Sequence, residues 1–79
     1  MEKPKLHESY WYIDTDGTDW EILQKENRME DMDKYNFAQK NFFQSREALE
    51  EAAFDTLTRL TLLDAESVGR MIVQKSNAK

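Results

Sequence analysis

Bulky and polar side chains alternate along residues 9–24, SYWYIDTDGTDWEILQ, on both sides of an Asp16-Gly17 dipeptide. A period of two is typical of a strand with one buried face and one polar face. An Asp-Gly pair favours a two-residue type I′ turn, because both central positions need positive φ. In that register Ile13 faces Trp20, and a longer loop, TDGT, keeps the same pairing. The pattern therefore predicts an antiparallel β-hairpin.

The predicted hairpin has two unlike faces. One face is entirely apolar and is expected to be the core face: Trp11, Ile13, Trp20 and Ile22. The other mixes aromatic and acidic side chains: Tyr10, Tyr12, Asp14, Asp19, Glu21 and Leu23. Like charges directly opposed destabilise a strand pair, and Asp14 opposite Asp19 would break that rule. A local rule broken without structural gain makes these acids candidates for a role in binding.

The middle of the chain is harder to assign. Residues 25–36, KENRMEDMDKYN, are polar and predict a loop or one short helical turn. Residues 37–44, FAQKNFFQ, contain three phenylalanines, which we expect between the hairpin and a helix. A short third strand in this segment is the alternative.

A helix is predicted from Ser45, a good N-cap, with Glu47 in the first turn where negative charge suits the helix dipole. Four apolar residues then recur at i, i+4, i+8 and i+11, one stripe of a 3.6-residue period. This helical stripe comprises Leu49, Ala53, Leu57 and Leu60. We expect it to be core against the hairpin. The alternative is the seam of a homodimer.

A second helix is predicted after Asp64, which can cap it, with Val68, Met71 and Ile72 as its apolar side. The alternative is one helix from 46 to about 75, since Gly69 costs a helix only about 1 kcal/mol. The predicted fold is α+β, an antiparallel hairpin packed on one long or two shorter C-terminal helices. The predicted organisation is a flexible leader at 1–7, one small domain at 8–75 and a frayed tail at 76–79.

Size and composition restrict the class of protein. A core made by 79 residues supplies roughly 3–5 kcal/mol of net stability, so a bound partner or an oligomer is expected. There is no cysteine, which removes disulfides and thiolate metal sites. The N-terminal residues lack the apolar run of a secretory signal, and no apolar run reaches the roughly 20 residues of a membrane span. We expect a cytoplasmic protein.

The net charge of −5 is unevenly distributed. Residues 8–33 contain nine acidic and two basic residues, a net charge of −7. Such a segment disfavours direct contact with DNA or RNA phosphates, which requires a basic patch. It favours a basic partner, such as a protein with a cationic nucleic-acid-binding groove.

No catalytic or metal-binding pattern stands out. The segment DTDGTDWE contains oxygen ligands suited to calcium, but its spacing differs from an EF-hand loop. His7 is the single histidine and lies in the predicted leader, without the oriented base that nucleophilic catalysis needs. We therefore expect a non-enzymatic protein with no metal or cofactor.

The chain also resembles a group of small, uncharacterised phage and prophage proteins of Gram-positive bacteria. Their pattern opens with an aromatic strand YYYI before a glycine turn and continues to a block GN-x-F-x-T-x-EEAE that begins a helix. Here YWYIDTDG at 10–17 resembles the first element. Five residues fall on the N, F, T, E and final E of the second: Asn41, Phe43, Ser45, Glu47 and Glu50. Three residues depart from it: Lys40 for glycine, Ala48 for glutamate and Leu49 for alanine.

The resemblance covers about residues 10–52 and implies a phage setting, in which small acidic proteins are often inhibitors of host systems. We therefore expect an inhibitor of a host defence effector, such as a CRISPR–Cas complex or nuclease, that occupies its cationic nucleic-acid-binding surface. The expected partner-binding residues are Tyr10, Tyr12, Asp14, Asp16, Asp19, Trp20, Glu21, Glu30, Asp31 and Asp33. Tyrosine is a favoured interface anchor, although helices covering this face would make the tyrosines core. The alternatives are a structural or regulatory homo-oligomer joined by the helical stripe, and a protein that sequesters a small ligand.

Overall fold

The computed structural model of the chain describes residues 2–77. In that part of the chain an N-terminal hairpin precedes four helices, and the fold is α+β, as predicted. The strands are β1, Ser9–Thr15, and β2, Trp20–Glu26. The helices are α1, Asp31–Ala38; α2, Arg46–Glu51; α3, Ala53–Thr61; and α4, Ala65–Asn77. None of the helices described is long and apolar enough to cross a membrane.

The hairpin forms in a register two residues away from the predicted one. Ile13 lies opposite Ile22, and Thr15 lies opposite Trp20. The connection is therefore the four residues 16–19, because the Asp16 side chain stabilises a wider loop than the expected Asp-Gly turn. A shift of two leaves every side chain on its original side of the strand, so the two predicted faces survive.

The apolar face of the hairpin packs on the helices, as predicted. Its buried cluster combines both strands with α2, α3 and α4: Ile13, Trp20, Leu49, Ala53, Leu57, Val68 and Met71. The Trp20 indole N–H also donates a 3.2 Å hydrogen bond to the Met71 carbonyl, so the large ring is buried without losing its polar partner. This contact holds the C-terminal helix against the end of the hairpin.

Residues 41–43 cover the outer edge of β1 without forming a full third strand. Trp11 and Phe43 exchange backbone hydrogen bonds of 2.9 and 2.8 Å, a single bridge. The buried Asn41 side chain takes the place of the next strand residue: its Oδ1 accepts from Ile13 N–H at 2.9 Å, and its Nδ2 donates to Ile13 O at 2.8 Å. An exposed strand edge is a template for unwanted pairing, and these contacts close it.

The second face of the hairpin is covered where its tyrosines lie, while Asp14 and Glu21 on the same face stay exposed. Tyr10, Tyr12 and Phe37 form a second buried cluster, with Leu23 and Phe42 against it. The expected loop or short turn at 25–36 instead leads into α1, whose buried Phe37 meets the Tyr10 ring at a centroid distance of 5.2 Å. Sequence patterning missed α1 because its buried residues include the polar Asp33 and Asn36.

The later helices begin and end near the predicted residues. The Ser45 hydroxyl accepts from Ala48 N–H at 3.1 Å and begins α2. One turn residue, Ala52, separates α2 from α3. The predicted break occurs at the end of α3, where Leu62 adopts a left-handed φ of 60°. Asp64 then accepts a 2.8 Å hydrogen bond from Ser67 N–H, which lowers the pKa of its carboxyl.

Residues of the predicted leader form hydrogen bonds with the end of the hairpin. His7 N–H donates to Asn27 O at 2.7 Å, and the buried Asn27 amide donates to Pro4 O at 2.9 Å. His7 Nδ1 lies 2.6 Å from Glu26 Oε2, and this hydrogen bond lowers the pKa of Glu26. Residues 4–7 are thus joined to the end of β2. At the other end α4 extends to Asn77, and the rest of the predicted frayed tail, like Met1, lies outside the described residues.

Candidate functional site

The loop at the end of the hairpin is built around one carboxylate. Asp16 Oδ1 accepts hydrogen bonds from Thr18 N–H at 2.9 Å, from the Thr18 hydroxyl at 2.9 Å and from Asp19 N–H at 3.0 Å. The backbone N–H of Asp19, then that of Thr18 and the Thr18 hydroxyl, hold the pKa of Asp16 down at about 2. Gly17 provides the positive φ, 94°, that the loop requires. Asp16 is therefore an anion with a structural role as well as surface charge.

Four exposed carboxylates surround this loop and line one shallow concavity of about 230 Å³. We call them the acidic tip: Asp14, Asp16, Asp19 and Glu21. Asp19 accepts from Trp20 N–H at 2.8 Å and lies 3.4 Å from Lys75 Nζ. Within residues 2–75, whose side chains the structure describes, no hydrogen bond or ion pair is made to the side chain of Asp14 or of Glu21. The tip therefore presents two carboxylates whose charge the described residues leave unpaired.

Asp14 and Glu21 face each other across the two strands. The predicted like-charge pair was Asp14 with Asp19, and the shifted register replaces Asp19 with Glu21. The physical conflict remains, since opposed like charges destabilise a strand pair. Their charges also contribute, after burial itself, to raising the pKa of Tyr12.

The aromatic residues expected as anchors are not at the surface. Tyr10 is fully buried, and Tyr12 and Trp20 are buried as well. The tyrosines lie beneath α1, and Trp20 lies on the core face against α4. Trp20 lines the concavity of the acidic tip but is only 7% exposed, and the two tyrosines are at most 9% exposed. The three rings therefore offer little surface to a partner, and we correct them from partner contacts to core residues.

Asp33 is also a core residue, contrary to the expectation that it belongs to the binding surface. Its Oδ1 lies 2.5 Å from Lys25 Nζ and accepts a 2.6 Å hydrogen bond from the Tyr10 hydroxyl. Its Oδ2 accepts from the backbone N–H of Arg28 and of Glu30, both at 3.1 Å. Burial alone would raise the carboxyl pKa, but these donors together hold the pKa well below its ordinary range. This fully paired carboxylate has nothing left to offer a partner.

The same network raises the pKa of Tyr10 far above its usual value, through burial first and then the hydrogen bond to Asp33. Tyr10 is therefore a neutral donor. Asn36 Nδ2 donates to the Tyr10 hydroxyl at 3.1 Å and belongs to the same hydrogen-bond network. Lys25, Asn36 and Asn41 are residues whose roles the pattern did not show. The sequence does contain a signal for the role of Asp33. An acid three residues after Glu30 has the spacing of a capping box, which marks the start of a helix.

The remaining expected residues lie apart. Glu30 and Asp31 are exposed at the start of α1, outside the concavity of the acidic tip. Glu30 Oε1 lies 3.9 Å from Lys25 Nζ. Of the ten expected partner-binding residues, four exposed acids and the buried Trp20 line this concavity, and the other five are buried or lie elsewhere.

The helical stripe belongs to the core of the domain, so its alternative assignment as an oligomer interface is corrected. Leu49, Ala53 and Leu57 are buried against the hairpin, and Leu60 packs at the edge of the same cluster. A seam between two copies would require these side chains to be exposed in one copy. No three His, Cys, Asp or Glu side chains within residues 2–77 are grouped so that they could hold a metal ion.

Comparison with known proteins adds no assignment. The sequence matches no known protein family, no curated protein and no solved structure at a significant level. The resemblance to small phage proteins therefore stays a prediction.

Proposed function

We propose that this protein is a non-enzymatic binding protein whose acidic tip docks on the cationic, nucleic-acid-binding surface of another protein. In the phage setting that the sequence resemblance implies, the partner is a host defence effector, such as a CRISPR–Cas complex, in the host cytoplasm. Binding would block access of nucleic acid to that surface, with no contact between this protein and nucleic acid.

The observation that carries the proposal is the unpaired facing couple Asp14 and Glu21 at the exposed end of the hairpin. Opposed like charges lower the stability of a strand pair, and a cationic partner would relieve that repulsion. Asp16 and Asp19 extend the same negative field around the concavity. Complementary charge raises association rates and selects basic partners, which suits competition with an anionic polymer.

A charge-reversal experiment tests this proposal. The tip variant is Asp14→Lys with Glu21→Lys, which avoids Asp16 because that side chain holds the loop. The matched control is Glu2→Lys with Glu51→Lys, two exposed acids outside the tip, which changes the net charge by the same amount. Each protein is used to capture partners from host lysate, and the captured effector is then assayed for nucleic-acid binding.

The wild type and the control should retain an effector and reduce its binding to nucleic acid, whereas the tip variant should lose both. Raising salt from about 0.1 to about 1 M shortens the screening length from roughly 10 to 3 Å and should release the partner. The proposal fails if the tip variant captures and inhibits the effector as well as the wild type does.

A further inference from the structure

A groove next to the acidic tip lies between β1, α1 and α3, with a volume of about 220 Å³. Its lining includes Met32 and Tyr35 of α1, Leu60 of α3 and Asp14 of β1. The buried Asn36 and Asn41 lie deeper, and their amides are already engaged by Tyr10 and Ile13. The groove therefore combines apolar walls with one unpaired carboxylate.

Helix α1 departs in part from an ordinary surface helix, which hides apolar residues and exposes polar ones, although its Phe37 is buried. It buries Asp33 and Asn36, yet Met32 is 53% exposed and Tyr35 is 59% exposed. Met29 precedes the helix with a left-handed φ of 56° and is also 54% exposed, but it does not line the groove. Methionine and tyrosine are enriched at protein interfaces. The exposed parts of Met32 and Tyr35 are thus not packed in the core and are available to a partner.

Asp14 is the one charged residue among those that line the groove. Asp31 and Lys34 of α1 are exposed and are not part of the lining. A side chain that fits must therefore be cationic at its end and tolerant of apolar walls along its length.

We propose that this groove seats an arginine side chain of the basic partner. The guanidinium pairs with the Asp14 carboxylate and stacks on the Tyr35 ring, while its methylene groups lie against Met32 and Leu60. A guanidinium is planar and weakly hydrated, so it stacks on aromatic rings, whereas the lysine ammonium is a strongly hydrated point charge. This inference rests on the proposed function and supplies the aromatic anchor that the buried Tyr10, Tyr12 and Trp20 do not.

The test compares oligo-arginine with oligo-lysine of equal length, titrated into the purified protein by calorimetry. The two peptides carry equal charge, but a guanidinium also pairs with exposed carboxylates in a bidentate manner, so the part of their affinity ratio that depends on Tyr35 reports the groove. The wild type should prefer oligo-arginine by about tenfold, the size expected for a partly desolvated cation–π contact. Tyr35→Ala should lower that ratio several-fold and leave the affinity for oligo-lysine unchanged.

Three controls separate the groove from the tip and from folding. Tyr35→Phe keeps the ring and should keep the preference. Phe54→Ala removes a 41% exposed ring on α3 outside the groove lining and should change neither affinity. Glu21→Gln, also outside the lining, should weaken both peptides equally because it removes tip charge only. Circular dichroism checks that each variant is folded. If Tyr35→Ala does not fold, Met32→Ala takes its place in the test.

The outcomes distinguish the two proposals. Equal affinities for the two peptides, or a preference that Tyr35→Ala leaves unchanged, would overturn the proposed arginine site in the groove. Neither result would contradict binding by the acidic tip. Binding of neither peptide would overturn both. A preference that depends on Tyr35 together with no effect of Glu21→Gln would support the arginine site and count against the tip.

Discussion

The Tyr10 hydroxyl donates a 2.6 Å hydrogen bond to Asp33 Oδ1 inside the protein, which joins β1 to the first turn of α1. Asn36 donates to the same hydroxyl, and Lys25 pairs with the same carboxylate oxygen. These contacts bury the part of the strand face that holds the tyrosines. Met32 and Tyr35 of α1 stay exposed and line the groove, while Phe37 of the same helix is buried.

Tyr10→Phe should lower the free energy of unfolding by about 1–3 kcal/mol, because it leaves the buried Asn36 amide without its acceptor and Asp33 with one donor fewer. Urea unfolding measures the change. Tyr35→Phe is the matched control, since its hydroxyl is exposed, and should stay within about 0.5 kcal/mol of the wild type. Equal effects of the two substitutions would show that the buried hydroxyl contributes nothing.

Asp33 should make the protein sensitive to acid. Its pKa is lower in the folded protein than the value of about 3.9 in an unfolded chain, so the unfolded chain binds the proton more readily. Its contribution is therefore complete above about pH 5 and is lost as the pH falls through the unfolded and then the folded pKa. Asp33→Asn should lower stability at neutral pH and flatten this acid dependence, measured by urea unfolding at several pH values. An unchanged slope would contradict the assignment.

Leu57→Ala should cost about 2–5 kcal/mol, because the side chain is fully buried in the core. Leu62→Ala is the control, since Leu62 is 87% exposed, and should change stability by less than about 0.5 kcal/mol. Light scattering of both variants should match the wild type. If Leu57→Ala dissociated an oligomer and left the stability of the single chain intact, the stripe would be an interface after all.

Leu62→Gly should stabilise the protein by up to about 1 kcal/mol. Left-handed backbone costs a residue with a Cβ roughly 1–2 kcal/mol, and glycine avoids that cost. Glycine also loses more conformational entropy on folding, which offsets part of the gain in stability. Thermal unfolding measures the difference. Leu63→Gly is the control: Leu63 has no positive φ, so the same substitution there should lower the melting temperature.

The carboxyl of Asp16 should titrate with a midpoint of about 2 in carbon-detected NMR. Thr18→Val removes one of the donors to Asp16 Oδ1 and should raise that midpoint toward the ordinary range. A midpoint in the ordinary range for the wild type would mean that the loop is not closed by this side chain.

Patterns carried by neighbouring residues predicted the local elements well. Alternation across residues 9–24 predicted the hairpin and its two faces, and the Ser45 and Asp64 caps were found where the sequence placed them. The register was wrong by two because it depended on how the Asp16 side chain closes the loop. Helix α1 was missed because two of its three buried residues, Asp33 and Asn36, are polar, which hydrophobic periodicity cannot detect.

The sequence by itself determined the α+β class, the apolar face of the hairpin, the helical stripe and the excess of acids in residues 8–33. Each of these depends on spacing between residues close together in the chain. Only the tertiary structure decided that the tyrosine face is covered, that Asp33 is buried and that Asp14 and Glu21 stay exposed. Those outcomes depend on partners far apart in sequence, 23 residues for Tyr10 and Asp33 and 28 for Ile13 and Asn41. A polar residue can be buried only where such partners satisfy it, and one sequence does not reveal which distant residues will meet.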